Sequence, residues 1–263
     1  MIFIEDKGYF RIFPFAKNSH TIDIVNSPSQ AYEAAKQFGR FTNLLSKFPV
    51  ENLKITLPDF HNLPLRYSQF ETSVEQGNKE RINESSTLIG FLKDHHDIVT
   101  ISKQISNNSN FKKRVTHNDS KISNVLFDDT VHGLCVIDLD TVMPGYFISD
   151  FGDMMRTYLS PVSEEEKDLS KIQVRKDYFK AIAEGYLSEM GNELTATEKK
   201  YLVYAGKFMT YMQALRFLTD HLNNNIYYGA KYDGHNFIRA NNQVSLLKKI
   251  IEKEKLLQEI IGI

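Results

Sequence analysis

The sequence predicts an α+β fold that is mainly helical. Short runs of β-branched and aromatic residues, separated by turn residues, occur near the N-terminus and between residues 113 and 145. Along most of the remaining chain, apolar residues recur at helical spacing in stretches long enough for helices. The predicted order is therefore a small β unit, several helices, one β-hairpin and further helices.

The β unit is predicted from the first fifteen residues. Residues 2–5 and 9–15 are rich in β-branched and aromatic side chains, and Asp6-Lys7-Gly8 separates them. A short glycine-containing turn between two such runs is typical of a β-hairpin. Because Arg11 alternates with apolar neighbours, we expect one face of the second strand to be buried.

The first long helix is predicted over residues 28–47. Ser27 is suited to the N-cap, Pro28 fits the first turn, and Gln30 completes a capping-box pattern. Residues from about 68 to 105 are polar and mostly helical in pattern, with one apolar cluster.

A β-hairpin is predicted where the helical period stops. Val125 to Phe127 and Leu134 to Ile137 are short apolar runs with His132-Gly133 between them. Cys135, the single cysteine, falls in the second run and is predicted to lie in the core. One cysteine excludes an internal disulfide and a cysteine-rich zinc site. Three helices are predicted after the hairpin, over residues 164–190, 196–223 and 239–261.

Composition excludes several classes of protein. The 263 residues carry 32 Lys+Arg against 33 Asp+Glu, a net charge of −1, which gives no basic footprint for nucleic acid. Hydrophobic residues at 41% and charged residues at 25% are values of a globular chain. The N-terminus lacks the basic region of a signal peptide, and no apolar run approaches membrane-spanning length. We therefore expect a cytoplasmic protein with no nucleic-acid or membrane partner.

The stretch from His117 to Asn124 carries the chemistry. It has the pattern H-x-D-x-x-x-x-N, and Asp138 follows at the end of the predicted hairpin. Phosphotransferases of the protein-kinase fold use this arrangement. In it Asp119 accepts the proton of a substrate hydroxyl, while Asn124 and Asp138 offer oxygen ligands to Mg²⁺. Because the hairpin brings both ligands to one end, we expect their oxygens within roughly 6 Å of each other.

These residues, with the run over 136–145, resemble the aminoglycoside phosphotransferase and choline kinase superfamily. The likeness runs from about residue 1 to the C-terminus, and within the superfamily it is greatest to the N-acetylhexosamine 1-kinases. Supporting runs lie at residues 38–41, 60–62, 150–153 and 216–220. The resemblance implies a protein-kinase-like fold with an incomplete N-lobe and a mainly helical C-lobe.

The resemblance also implies an activity. It implies transfer of the ATP γ-phosphate to the C1 hydroxyl of N-acetylglucosamine or N-acetylgalactosamine, with Asp119 as the base and Mg²⁺ as the metal. It implies a phosphate contact for Lys121 and sugar contacts for Arg216 and Tyr227, both of which we expect to line the concave surface that contains Asp119. Asp140 is implied as a sugar contact or a second metal ligand. The alternative is that Arg216 packs its stem on a helix and Tyr227 is a packing aromatic.

The chain departs from the pattern at its N-terminus. Kinases of this fold use a glycine-rich loop and a lysine over the nucleotide phosphates. Here no two glycines are spaced as G-x-G, and Lys7 is the only lysine before residue 17. We interpret residues 1–16 as the remnant of an N-lobe sheet with a hinge at Phe15 and Ala16, whose backbone pairs with adenine. Residues 17–263 are interpreted as the C-lobe.

Three functional hypotheses follow. The first is an ATP- and Mg²⁺-dependent N-acetylhexosamine 1-kinase whose activity is low because the phosphate-binding N-lobe is incomplete. The second is a sugar-binding pseudokinase without catalysis. The third is a kinase for an amino-alcohol or another sugar. An apolar stripe in the last predicted helix, which includes Leu246 and Ile250, is either helix core or the interface of a homodimer.

Overall fold

A computed structural model describes residues 2–262 of the protein. The strands in this part of the chain are Ile2–Ile4 (β1), Gly8–Phe10 (β2), Arg114–Thr116 (β3), Val125–Phe127 (β4), Gly133–Val136 (β5) and Met143–Gly145 (β6). The helices are Pro28–Leu44 (α1), Leu63–Gln76 (α2), Lys79–Glu84 (α3), Ser86–Asp94 (α4), Asp97–Ser106 (α5), Phe147–Tyr158 (α6), Lys176–Met190 (α7), Ala196–Lys199 (α8), Leu202–Leu222 (α9), His235–Glu252 (α10) and Glu254–Ile260 (α11). The protein is therefore α+β and mainly helical, as the sequence predicts.

The strands form three separate antiparallel pairs: β1 with β2, β3 with β6, and β4 with β5. Both predicted hairpins are confirmed, although β2 ends at Phe10 rather than at Phe15. The β3–β6 pair was not predicted, because its two strands are distant in sequence and each is only three residues long. This pair places the segment after β3 beside the segment that leads into α6.

Helix α1 begins as its capping residues predict. The Ser27 hydroxyl accepts a hydrogen bond from the Gln30 backbone N–H at 3.3 Å. The Gln30 side chain accepts from the Asn26 backbone N–H at 2.7 Å, so the reciprocal bond of the capping box is displaced by one residue. The helix ends at Leu44 rather than at residue 47.

Helix α9 lies at the centre of the helical part and is buried around most of its circumference. Helices α6, α10 and α2 pack against it, and α1 packs against α7. Two glycines allow close helix contacts. A Cβ on Gly152 would lie 2.2 Å from the Ala205 carbonyl oxygen, and one on Gly185 would lie 2.2 Å from the Tyr32 carbonyl oxygen. The α6–α9 and α1–α7 contacts therefore require glycine at these positions.

The prediction of a helix starting at residue 164 is wrong. Helix α7 begins at Lys176, and residues 164–175 form a loop with one 3₁₀ turn. In this loop the Glu164 carboxylate binds Arg156 and Arg239. Tertiary ion pairs therefore override the local helix propensity of this acidic segment.

The prediction that Cys135 lies in the core is also wrong, because its side chain is exposed. Strand β5 is one edge of a two-stranded sheet, and Leu134 is exposed beside it. The buried residues of this hairpin are in β4, where Val125 and Phe127 are fully covered.

The N-terminal hairpin is exposed on both strands, so the expected buried face near Arg11 is not formed. Arg11, the residue after β2, forms an ion pair with Asp140. The lobe boundary at residue 16 stays a prediction. Across residues 2–262, no helix combines the length and apolar character needed to cross a bilayer.

Candidate active site

The segment that follows β3 brings three predicted site residues together. The Asn124 side-chain amide donates to the Asp119 backbone oxygen at 2.8 Å and to the Asp119 carboxylate at 2.9 Å. The Lys121 ammonium lies 3.1 Å from the same carboxylate oxygen. Two donors therefore hold the Asp119 carboxylate in one orientation, as a general base that must meet a substrate hydroxyl requires.

The buried carboxylate of Asp150 holds this segment in place. Asp150, on α6, accepts the backbone N–H groups of His117 at 2.9 Å and Asn118 at 2.6 Å, and the Ser120 hydroxyl at 3.0 Å. Burial raises the pKa of Asp150, and the neighbouring His117 together with the hydrogen bonds from His117, Asn118 and Ser120 opposes that rise. Asn118 is held in the left-handed region at φ 65°. The anchor fixes the backbone immediately before Asp119.

From the sequence, Asp150 had no role of its own, although it begins the run at residues 150–153 that supports the family resemblance. A signal was present, since Asp150 stands among the apolar residues Phe147, Ile148 and Phe151. A carboxylate on a buried helix face must find hydrogen-bond donors. The identity of those donors becomes visible only when α6 is packed against the loop.

The β4–β5 hairpin places the backbone of Asn124 beside the residue that precedes Asp138. The Ile137 backbone N–H donates to the Asn124 backbone oxygen at 2.9 Å, and Asp138 is the next residue after Ile137. Asp138 is exposed in the left-handed conformation, φ 59° and ψ 63°, and makes no capping hydrogen bond. The Asn124 amide nitrogen makes both contacts to Asp119, so Oδ1 of the same side chain accepts no hydrogen bond from the described residues.

This pair of oxygen donors fits Mg²⁺, which prefers carboxylate and amide oxygens and completes its shell with water and phosphate oxygens. Within residues 2–262 no group of three or more His, Cys, Asp or Glu side chains is placed to hold a metal. Asn124 and Asp138 are the side chains that would hold the ion. The expected separation of roughly 6 Å stays a prediction.

Asp119 opens onto a cavity of about 450 Å³. Arg216 lines this cavity, as expected, together with Lys121. Tyr228, and not the predicted Tyr227, lines this cavity. Tyr227 is exposed and lines a neighbouring cavity of about 960 Å³ that shares Arg216 and Tyr228. The expectation that Tyr227 lines the Asp119 cavity is thus corrected, and its sugar contact stays a prediction.

Five other predicted residues do not line this cavity, and two of them are the predicted metal ligands Asn124 and Asp138. Asp140 is exposed and forms its ion pair with Arg11. Phe15 is 86% exposed, and the Ala16 carbonyl accepts the Ser19 hydroxyl at 2.8 Å. Nucleotide contacts of Phe15 and Ala16 and a sugar contact of Asp140 therefore stay predictions.

A chain of ion pairs forms one wall of the cavity. Asp153 accepts from the Arg156 guanidinium at 2.9 Å, Arg156 contacts Glu164 at 2.6 Å, and Glu164 contacts Arg239. Burial raises the pKa of Asp153; the Arg156 charge opposes the rise and the nearby Asp119 charge adds to it. Asp153 and Arg156 are three residues apart on α6, and both face the cavity that contains Asp119.

Phe60 and His61 also line the cavity, with their rings stacked at 4.5 Å. Burial, with the positive charge of Arg216, lowers the pKa of His61 from 6.5 to about 3, so the imidazole is neutral at pH 7. The run at residues 60–62 was visible in the sequence as part of the resemblance. Nothing in it showed that these rings face Asp119.

The geometry can now be compared with known proteins. A sequence model of the phosphotransferase enzyme family (APH) matches residues 5–182, more than half of the chain. The chain belongs to this family. Its fold is accordingly the protein-kinase-like fold of the APH phosphotransferases.

Solved structures agree on the fold. The protein is similar to an aminoglycoside phosphotransferase from Alicyclobacillus acidocaldarius, with a TM-score of 0.58 and 11% identity over 90% of this chain and 67% of that one. It is similar to a choline kinase from Cryptosporidium parvum, with a TM-score of 0.52 and 16% identity over 89% and 67% of the chains. It is also similar to a Plasmodium vivax ethanolamine kinase, with a TM-score of 0.54 and 11% identity over 90% and 65%. The chain thus spans about two thirds of the length of each neighbour.

Proposed function

We propose that the protein is an ATP-dependent phosphotransferase that acts on the anomeric hydroxyl of an N-acetylhexosamine. The observation that carries the proposal is the position of Asp119. Its carboxylate is held by Asn124 and Lys121 at the edge of a cavity that Arg216 also lines. Membership of the phosphotransferase family supports the reaction class. The resemblance of the Arg216 run to the N-acetylhexosamine kinases supports the acceptor.

The side chains have distinct roles in the proposed reaction. Asp119 accepts the proton of the attacking hydroxyl, and Asp150 holds the loop that positions it. Asn124 and Asp138 would hold Mg²⁺, and Lys121 lies beside Asp119 where it can meet a transferring phosphate. ATP supplies the phosphoryl group, and Mg²⁺ would offset the negative charge of its phosphates.

The cavity lining suits a polyhydroxyl acceptor. Its volume of about 450 Å³ falls within the range of about 300–1,000 Å³ for small-molecule sites. Hydrogen-bonding side chains cover much of its wall, among them Asp153, Asn242 and Gln243. A sugar offers donors and acceptors around its whole ring, whereas an amino-alcohol offers one hydroxyl and one cation. The amino-alcohol kinases among the structural neighbours keep that second acceptor class open to test.

We expect slow turnover from residues 1–263 on their own. They contain no G-x-G run to cover the nucleotide phosphates. Because loss of one preorganised electrostatic donor costs about 10²–10³ in rate, loss of several reduces turnover strongly. Sugar binding is expected to survive, since the cavity is formed by residues after 17. A homodimer stays a prediction.

A coupled kinase assay combined with calorimetry tests the proposal. N-acetylglucosamine, N-acetylgalactosamine, choline and ethanolamine are compared with ATP and Mg²⁺ for the wild-type chain and for Asp119→Asn. We expect sugar phosphorylation that falls by about 10²–10⁴ in the variant, and sugar binding that does not change. Sugar binding without turnover in the wild-type chain would favour a pseudokinase. Turnover with choline or ethanolamine alone would favour an amino-alcohol kinase.

A further inference from the structure

Two arginines near the candidate site have no acidic partner. Arg66, on α2, donates to the Gln69 side chain at 3.0 Å and to the Asp59 backbone oxygen at 2.9 Å, and its buried Nε has no partner. Arg216, on α9, donates to the Gln213 side chain at 3.4 Å. Across residues 2–262, neither guanidinium lies within 4.0 Å of a carboxylate oxygen.

Three other arginines in the interior are paired with acids. Arg114 binds Glu198 at 2.6 Å, Arg156 binds Asp153 and Glu164, and Arg239 binds Glu164. Partly buried guanidinium groups normally require such partners, because their charge is costly to remove from water. Within residues 2–262, Arg175 also has no acid, but its guanidinium donates to the backbone oxygens of Leu159 and Tyr158. Arg66 and Arg216 differ from it because each leaves guanidinium nitrogens without a partner among the described residues.

Neighbouring acids do not supply the missing charge. The Asp59 carboxylate accepts from the Asn62 side chain at 2.8 Å. The Asp220 carboxylate accepts the backbone N–H groups of Tyr227 and Tyr228 and the Asn236 amide. Burial and the positive charge of Arg216 lower the pKa of Arg66, so the two guanidinium groups repel each other. Both guanidinium groups face the larger cavity, and the carboxylate of Asp220, which also lines it, is occupied by backbone amides and the Asn236 amide.

The two arginines lie where the cavities meet. Arg216 and Tyr228 line both the Asp119 cavity and the larger cavity of about 960 Å³, and Arg66 lines the larger one. An acceptor with its hydroxyl at Asp119 can therefore extend past Arg216 toward Arg66. The larger cavity has room for a substituent beyond one sugar ring.

We propose that the acceptor carries an anionic substituent, a carboxylate or a phosphate monoester, which Arg216 and Arg66 bind at the junction of the two cavities. The inference rests on the proposed phosphotransferase function, which places the hydroxyl group of the same acceptor at Asp119. Guanidinium groups bind both anions through charge-assisted hydrogen bonds. The nitrogens of Arg216 that make no other bond and the remaining N–H groups of the Arg66 terminal nitrogens supply the donors.

Cationic acceptors are disfavoured by the same arrangement. The Arg216 guanidinium carbon lies 5.5 Å from the ring centre of Phe60, 5.9 Å from that of Tyr227 and 5.4 Å from that of Tyr228. These rings already surround a cation. A quaternary or primary ammonium group would meet the guanidinium instead of a free aromatic face.

Calorimetry with a matched ligand pair tests the inference. The ligands are N-acetylglucosamine and N-acetylglucosamine 6-phosphate, and the proteins are the wild-type chain, Arg66→Gln and Arg40→Gln. Arg40 is an exposed arginine on α1 and serves as the control for loss of one positive charge. The wild-type chain should bind the phosphorylated sugar about tenfold or more tightly than the neutral one. Arg66→Gln should reduce that preference to about threefold or less, and Arg40→Gln should leave it unchanged.

Equal affinity for both sugars in the wild-type chain would overturn the inference, and so would a preference that survives Arg66→Gln. Should neither sugar bind, inorganic phosphate becomes the probe. Phosphate binding that is lost in Arg66→Gln and kept in Arg40→Gln would support the anion site while refuting the proposed acceptor. Absence of phosphate binding, or equal binding by the wild-type chain and Arg66→Gln, would refute the anion site itself.

Discussion

The Asp150 carboxylate accepts the backbone N–H of Asn118 at 2.6 Å, from a position on α6 that lies 32 residues further along the chain. The residue it holds is in the left-handed conformation and precedes the proposed base. Through this bond, α6 determines where Asp119 points.

Replacement of Asp150 by asparagine should reduce both stability and activity. One of the two backbone amides would face the new NH₂ group and lose its acceptor, at a cost of about 1–3 kcal/mol in unfolding free energy. Urea unfolding measures the loss, and hydrogen exchange at His117 and Asn118 should accelerate. Asp177→Asn, at an exposed position in the first turn of α7, is the control and should leave both measurements near wild type. Unchanged exchange in Asp150→Asn would contradict the anchoring role.

The close contact between α1 and α7 leads to a second prediction. In Gly185→Ala the new methyl would lie 2.2 Å from the Tyr32 carbonyl oxygen, so the helices must separate. We expect destabilisation of about 1–3 kcal/mol. At Gly90, in α4, a Cβ would have no neighbouring atom within 4 Å, so Gly90→Ala should stabilise by up to about 1 kcal/mol. Thermal unfolding of both variants checks the opposite signs.

The buried Arg114–Glu198 pair gives a third prediction. Glu198 is fully buried and contacts Arg114 at 2.6 and 2.9 Å, so Glu198→Gln would leave the arginine charge without compensation. The loss of unfolding free energy should be about 3–5 kcal/mol. The matched change Glu184→Gln removes an exposed pair with Lys180 at 3.7 Å and should cost less than about 1 kcal/mol. Similar losses in the two variants would contradict the importance of burial.

A fourth prediction concerns pH. The pKa of His61 is about 3 in the folded protein against 6.5 for the free side chain. The unfolded chain therefore binds the extra proton between these values, and stability falls as the pH falls from about 6.5 toward 3. The contribution to the slope is at most about 1.4 kcal/mol per pH unit. Urea unfolding from pH 4 to 8 should show a shallower slope for His61→Gln than for the wild-type chain. Equal slopes for the two proteins would contradict the prediction.

Local pattern was sufficient for much of the fold. The Ser27 cap of α1, the two hairpins and the helical character of the rest could be predicted, because each depends on neighbouring residues. The β3–β6 pair and the loop over residues 164–175 could not, since both depend on partners distant in sequence. In the loop, Glu164 lies outside any helix, and its carboxylate binds Arg156 and Arg239.

In the candidate site, too, contacts between residues close in sequence could be predicted, and contacts between distant residues could not. Asp119, Lys121 and Asn124 lie within six residues, and their contacts follow from that spacing. Arg216 was expected only through a family resemblance, and Arg66 was not expected at all. These two arginines come from helices α2 and α9, and no local pattern showed that both would lack an acid.

The left-handed backbone at Asp138 has a consequence for engineering. This conformation costs a non-glycine residue of order 1 kcal/mol, so a screen for higher melting temperature should favour glycine or asparagine there. Such a variant would gain thermal resistance and lose the carboxylate proposed for the metal. Consensus or thermostability design on this scaffold should therefore exclude position 138. Thermal stability favours glycine or asparagine there, whereas the proposed metal site requires aspartate.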